Sequence, residues 1–377
     1  MRALVVEQGF SRGTLTAVRA LSAAGWQVGV GTPRGSGLAS SSRHCLGRHV
    51  VPAAHENADL FVSAVARAVR RGGYEVVFGG GEAEVLALSE HRSAIGAVVP
   101  HARHDIVLSA LDKSRLATAA TAVGIAVPAT LQLSVGIAED QPVVVKARLH
   151  ARPGHVGFPP RIDTTVVYGQ SAARRRVAEI AAVGGTAELQ EFIPGRLLAY
   201  SAVVTAGGER VAAQSMQVAS RMWPPDAGAS CRAVSVPVDD QIAARSAALF
   251  AHLGWFGLAQ LQFLVPADGV PRLIDLNGRF YGSLALAVKA GANLPAVWAA
   301  LATGRGLDEV PTRPLRAGVR YSWLEGDLRR ALAAQRGTRF RDLAGSLCAG
   351  VGAAHSVVKL SDPVPALAAT RRLLASR

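Results

Sequence analysis

Asp275, Asn277 and Arg279 stand two apart in Ile274-Asp275-Leu276-Asn277-Gly278-Arg279. On a strand that spacing puts all three side chains on one face, about 6.6 Å between neighbours at roughly 3.3 Å of rise per residue. Ile274 and Leu276 then face the other way. Upstream, Leu258–Val265 alternates with the same period, setting Gln260 and Gln262 against Leu261 and Phe263, and Pro266-Ala-Asp-Gly269 between the runs is turn chemistry. Together they predict an antiparallel hairpin. A face of carboxylate and amide oxygens with a cation at its rim suits a hard metal ion and a polyphosphate. Taken alone, the same face also fits a half-exposed hairpin with its polar side outward.

Two lysines could supply the cations. Lys146 closes the apolar run Pro142-Val-Val-Val-Lys146-Ala. An ammonium inside such a strand is costly unless it is paired, with a phosphate or with a structural carboxylate. Lys113 follows Asp112, which can cap a helix that Gly124 closes and Pro128 forbids to resume. The chain's own composition makes both positions notable. Of 41 basic residues only four are lysine (Lys113, Lys146, Lys289 and Lys359) and the rest are arginine, as a GC-rich coding bias would produce.

Taken in order, these stretches resemble the ATP-grasp superfamily. The hairpin is similar to its metal-binding strands, usually Glu-x-Asn-Pro-Arg and here Asp275-Leu276-Asn277-Gly278-Arg279. Asp112-Lys113 with Gly124-Ile-Ala-Val-Pro128 looks like the opening of the fold, and Val143-Val-Val-Lys146-Ala147 like its phosphate-lysine strand. Residues 148–161, with Gly154 and Gly157 but also Pro153, Pro159 and Pro160, stand where the phosphate-covering loop is expected. Gln190-Glu191-Phe192-Ile193-Pro194-Gly195 is similar to the hinge whose main chain reads adenine. Leu197 occupies the usual place of a ribose glutamate, which leaves Glu191 itself for the ribose. Gly282-Ser283 and Gly291-Ala-Asn-Leu-Pro295 match the usual sequel.

The resemblance implies a fold, a site and a reaction. The fold is an N-terminal doubly wound, Rossmann-like α/β domain (1–105), then a two-lobed α+β ATP-grasp fold (106–190 and 191–310), with a C-terminal extension (311–377). ATP and Mg2+ are the implied cofactors. Lys113, Lys146, Gln190, Glu191, Phe192 and Ile193 would bind the nucleotide; Gln262, Asp275 and Asn277 the metal. Lys146, Arg279 and Arg232 would serve catalysis, with Arg232 and Arg221 presented to substrate or γ-phosphate. The implied reaction phosphorylates a carboxylate to an acyl phosphate, which an amine then displaces to form an amide. Its partners are thus a small carboxylate and a small amine, and a homodimer is allowed.

The elements that must hold these residues alternate regularly in the first hundred positions. Strands are predicted at 4–6, 26–30, 49–52, 76–78 and 98–99, separated by helices after Gly13, over 58–71 and over 82–91, which implies a parallel sheet. Gly9-x-x-x-Gly13 and Gly79-Gly-Gly81 sit where a strand runs into a helix, as tight turns or as anion sites with Ser11, Arg12 and Glu82 nearby. Neither is G-x-G-x-x-G, which argues against an oxidoreductase built on this half. Helices are also read at 243–253, 328–335 and 365–375.

Composition narrows the remaining classes. No run of eighteen apolar residues appears, so no membrane span is expected. Three scattered cysteines give neither a disulfide framework nor zinc spacing, and a reducing cytoplasm is the default expectation. His101 and His104 read as surface histidines. The net charge of +14 would suit nucleic acid, but the charges are dispersed and aromatics are 5% of the chain, too few for stacking platforms. Gln262 and Asp275, in place of two glutamates, also leave room for an ATP-binding protein that has lost catalysis.

Overall fold

A computed structural model describes residues 1–134, 136–151, 161–311, 313–334 and 337–375. Its first sheet has strands β1 (Arg2–Val6), β2 (Gln27–Thr32), β3 (Cys45–Val50) and β4 (Val76–Gly79), all parallel in the order β3-β2-β1-β4. The apolar runs Ala3–Val6 and Val76–Phe78 are fully buried, as parallel strands covered on both faces must be. Helices Arg12–Ala23, Ala58–Gly72 and Glu82–Glu90 cover them, with Asn57 capping the second. Val98 forms one parallel bridge to Val76 where a last strand is expected. The strand order reverses between β1 and β4, so the loops after them, which carry Ser11, Arg12 and Glu82, converge at one edge.

The second sheet is small and antiparallel: β5 (Thr130–Leu131), β6 (Pro142–Ala147), β7 (Thr165–Tyr168) and β8 (Ala187–Glu191), in the order β5-β8-β6-β7. Helix Gly169–Ala182 packs on it, and Val143, Val145, Ala173, Ile180 and Leu189 form its core.

The third sheet has seven strands: β9 (Arg196–Val204), β10 (Val211–Trp223), β11 (Ala229–Val236), β12 (Gly257–Val265), β13 (Arg272–Asn277), β14 (Arg320–Ser322) and β15 (Ala354–His355). Their order is β13-β12-β9-β10-β11-β14-β15. β12 and β13 are the hairpin expected from alternation. β14 and β15, from the C-terminal extension, complete this sheet. Helix Leu294–Ala302 is buried between the first and third sheets, where Trp298 packs on Phe78 and Phe280 and donates to the Pro100 carbonyl at 2.7 Å.

His101 corrects the sequence reading. It is buried, its ring meets Trp298 edge-on, and its Nε2 accepts from the Gly79 amide at 3.3 Å. Burial, then Arg92, pulls its imidazolium down to about 3, so it is neutral. Among the described residues no single helix is long and apolar enough to cross a membrane.

Candidate active site

The hairpin register sets the site. Gln262 stands opposite Asp275 and Gln260 opposite Asn277, which gathers four oxygen-bearing side chains on two adjacent strands. A cavity of about 380 Å³ opens over them. The small sheet forms its other wall through Val144, Lys146 and Gln190, and the loops after β1 and β13 close one end with Arg12 and Arg279.

Asp112 caps helix Lys113–Ala122 by accepting from the Ser114 and Arg115 amides at 3.0 and 3.2 Å. Arg148 Nη2 braces the same carboxylate at 2.7 Å. Lys113 is thereby held at the helix start, where its ammonium makes a buried ion pair with Asp275. Burial alone would raise the Asp275 carboxyl; Lys113, His150 and Lys146 outweigh it and hold the group at about 2.

Lys146 projects from β6 into the same space and is only 5% exposed. Its Nζ reaches the Ile274 carbonyl at 3.4 Å and has no ion-pair partner among the described residues. Glu188 is opposite it in register on β8, but one Glu188 oxygen is occupied by Gln190 at 2.7 Å and the other is buried without a hydrogen bond. Burial, then repulsion from Lys113, brings the Lys146 ammonium down to about 8 against the pull of Glu188 and Asp275. A buried cation at a cavity wall without a neutralising partner is a place for an anion.

Two further groups lie in this lining that the sequence did not single out, His150 and Arg161. His150 Nδ1 donates to the Ile162 carbonyl at 2.7 Å, which orients the ring, and burial followed by Lys113 lowers its pKa. Neither residue belongs to a spacing pattern, so only the folded chain reveals them.

Three comparisons bear on this geometry. Residues 218–327 match a family described as ATP-grasp in the biosynthetic pathway with Ter operon. An L-amino acid ligase from Bacillus licheniformis superposes with a TM-score of 0.62 at 13% identity, covering 85% of this chain and 78% of its own. This is an ATP-grasp fold. An N5-carboxyaminoimidazole ribonucleotide synthetase in complex with ADP agrees (TM-score 0.61, 14% identity, 84% of this chain and 80% of that one). So does a biotin carboxylase from Campylobacter jejuni in a beta-gamma-ATP complex (0.58, 14%, 82% and 73%). No curated protein matches the sequence itself.

Within the ATP-grasp fold the expected site residues divide. Lys113, Lys146, Gln190, Glu191, Gln262, Asp275, Asn277 and Arg279 all line the one cavity. Phe192 and Ile193 follow at the hinge but do not line it. Glu191 Oε1 accepts from the Ala129 amide at 2.9 Å, so that oxygen is already engaged. Arg232 is placed apart from these. It is not in the lining; its Nε meets buried Asp327 at 2.5 Å and its Nη2 meets Ser346 at 3.2 Å. Arg221 likewise turns to Asp327 at 3.3 Å. Both arginines neutralise a buried carboxylate. The expected phosphate-covering loop falls largely on residues 152–160, outside the described residues.

Proposed function

We propose that this chain is an ATP-dependent ligase that activates a carboxylate as an acyl phosphate and joins it to an amine, releasing ADP and phosphate. The observation that carries this reading is the unneutralised, buried Lys146 beside the Lys113–Asp275 pair in a cavity that also holds Arg279. Transfer of a phosphoryl group is mostly positioning and charge neutralisation, and these cations supply both. The γ-phosphoryl group passes to a carboxylate oxygen of the substrate. The amine attacks the carbonyl carbon, phosphate leaves, and the nitrogen gives up a proton. The substrate brings its own nucleophile, so no side-chain nucleophile is needed.

The donor set fits magnesium on one condition. Asp275, Asn277 and Gln262 offer hard oxygens, but only one of them is charged and that one is paired with Lys113. Among the described residues no three His, Cys, Asp or Glu side chains gather. Magnesium usually binds through one or two carboxylates together with phosphates. Asp275 and Asn277 would therefore hold it jointly with ATP, where it neutralises phosphate charge. Calorimetry should find little magnesium binding without nucleotide; tight binding to the bare protein contradicts this arrangement.

The decisive test is an ADP-release screen of small acids paired with small amines, followed by chromatography of the spent nucleotide. ADP and phosphate are expected. AMP and pyrophosphate would overturn the acyl-phosphate route, and nucleotide binding with no turnover by any pair would favour a protein that binds ATP without catalysis.

A further inference from the structure

The ligase reading gives the nucleotide the Lys146 and Gln190 end of the cavity; the other end says what else enters. That end is formed by Ser11, Arg12 and Gly13 at the start of helix Arg12–Ala23 and by Arg279 to Ser283 after β13. The two segments touch closely. A methyl group at Gly13 would lie 2.4 Å from the Phe280 carbonyl oxygen, so only glycine permits the approach.

Both charged residues at this end are arginines, and they differ. Arg279 is already paired with Glu82 at 3.5 Å. Arg12 has no carboxylate partner among the described residues. It is nevertheless held firmly. Its guanidinium carbon lies 3.6 Å from the centroid of the Trp323 ring, and its Nη1 donates to the Tyr321 hydroxyl at 3.2 Å. That hydroxyl donates onward to the Gly282 carbonyl at 2.9 Å, which fixes its role as acceptor from Arg12. Nη2 lies beside Gly282, where a methyl group would come within 3.0 Å of it. Tyr321 and Trp323 belong to β14 and the residue after it, so the C-terminal segment holds this arginine in place.

We propose that Arg12 docks a carboxylate that is not consumed in the reaction, so that one of the two substrates carries a spare carboxylate, as an amino acid or a dicarboxylic acid does. The inference rests on the ligase reading. An arginine stacked on an indole keeps its remaining N–H groups in one plane, the geometry that meets a carboxylate with two parallel hydrogen bonds. A phosphate suits the place less well, since it brings nearly two charges to one uncompensated cation. Holding the cation in advance removes most of the ordering cost of binding.

The test is calorimetric, with magnesium and the non-hydrolysable analogue AMP-PNP present. The probes are L-amino acids, each beside its α-amide, and succinate and glutarate beside propionate and butyrate. Saturable binding of at least one free-carboxylate probe is expected, at least tenfold weaker for its amide or monoacid counterpart. Amino acids and diacids thereby separate as the two sources of the group. Arg12→Lys should weaken that binding about tenfold and Arg12→Gln about a hundredfold, with AMP-PNP binding and thermal melting as in the parent. Tyr321→Phe, which removes only the positioning contact, should raise KM for that substrate and leave kcat and the KM for ATP nearly unchanged. Parental affinity in Arg12→Gln, or amides binding as well as acids, overturns the docking role. So does the absence of binding by every probe while AMP-PNP still binds. Failure to bind AMP-PNP in the parent removes the ligase reading, and this inference with it.

Discussion

Lys146 is where burial and phosphate chemistry meet. Its ammonium is down to about 8 in the free protein because it is buried beside Lys113. A polyphosphate would raise that value again, so nucleotide binding should take up protons near pH 8 and almost none at pH 6, where the group is already charged. Affinity gained through this lysine is complete below its free value and is lost as pH rises through its bound value. Calorimetry in two buffers of different ionisation enthalpy measures the uptake; none at pH 8 would place the phosphates elsewhere. Substitution tests the same residue by shape. Two of the chain's four lysines line the cavity although arginine is its habitual cation. A slim ammonium fits between β6 and Ile274 where a planar fork needs more room and more acceptors. Lys146→Arg should therefore lose most ATP turnover, at least a hundredfold, with a melting temperature near the parent's. Near-parental ADP release would take Lys146 out of the site.

Short elements aim these side chains, and their legibility varied with the range of the interactions that build them. The start of helix Lys113–Ala122 was readable because a cap is local: Asp112 accepts from amides two and three residues on. Asp112→Ala should cost about 1–2 kcal/mol from the cap. It also frees Arg148 and loosens Lys113, so the KM for ATP should rise severalfold, a change that loss of stability alone would not bring. An unchanged KM beside a lowered melting temperature would limit Asp112 to capping. The β12–β13 hairpin was legible from its alternation over a Pro-Ala-Asp-Gly turn, except at Ile274: the register shifts between Gln262 and Phe263, so Leu273 joins Leu276 in the core and Ile274 lines the cavity. Arg232 was not. It sits on β11, and the carboxylate that claims it, Asp327, is on helix Leu324–Ala333, 95 residues further along. Strands as short as β14 and β15 have too few residues to show a period, and they exist only because the edge of a larger sheet receives them. His101 looked exposed because a lone histidine carries no sign of the aromatic cluster that buries it.

At the scale of the molecule, the last sixty residues return to the first fifty. Asp362, fully buried, accepts from Arg19 Nε at 2.8 Å, from Ser42 Oγ at 2.6 Å and from the Arg43 amide at 3.0 Å. Arg19 completes its own set on the Val357 and Asp362 carbonyls at 3.0 and 3.2 Å. Beyond this latch, helix Val364–Ala375 sets Arg372 over the ring of Phe10, 3.8 Å from its centroid, and Phe10 lines the cavity. Helix Arg12–Ala23 is thus gripped twice by the C-terminal segment, at Arg12 through Trp323 and at Arg19 through Asp362. A buried pair broken on one side is costlier than the pair is worth, because the remaining charge stays buried and unpaired. Asp362→Ala should therefore destabilise by about 3–5 kcal/mol, read by chemical denaturation, and should let protease trim the chain near residue 360 while the remainder resists. Replacing both partners by apolar residues of similar volume, Arg19→Met with Asp362→Leu, should recover much of the loss, since no orphaned charge remains. If Asp362→Ala melts as the parent does and its C-terminus stays protected, the latch is incidental, and the helix that presents Arg12 is held by its packing and by the contacts of Arg12 itself.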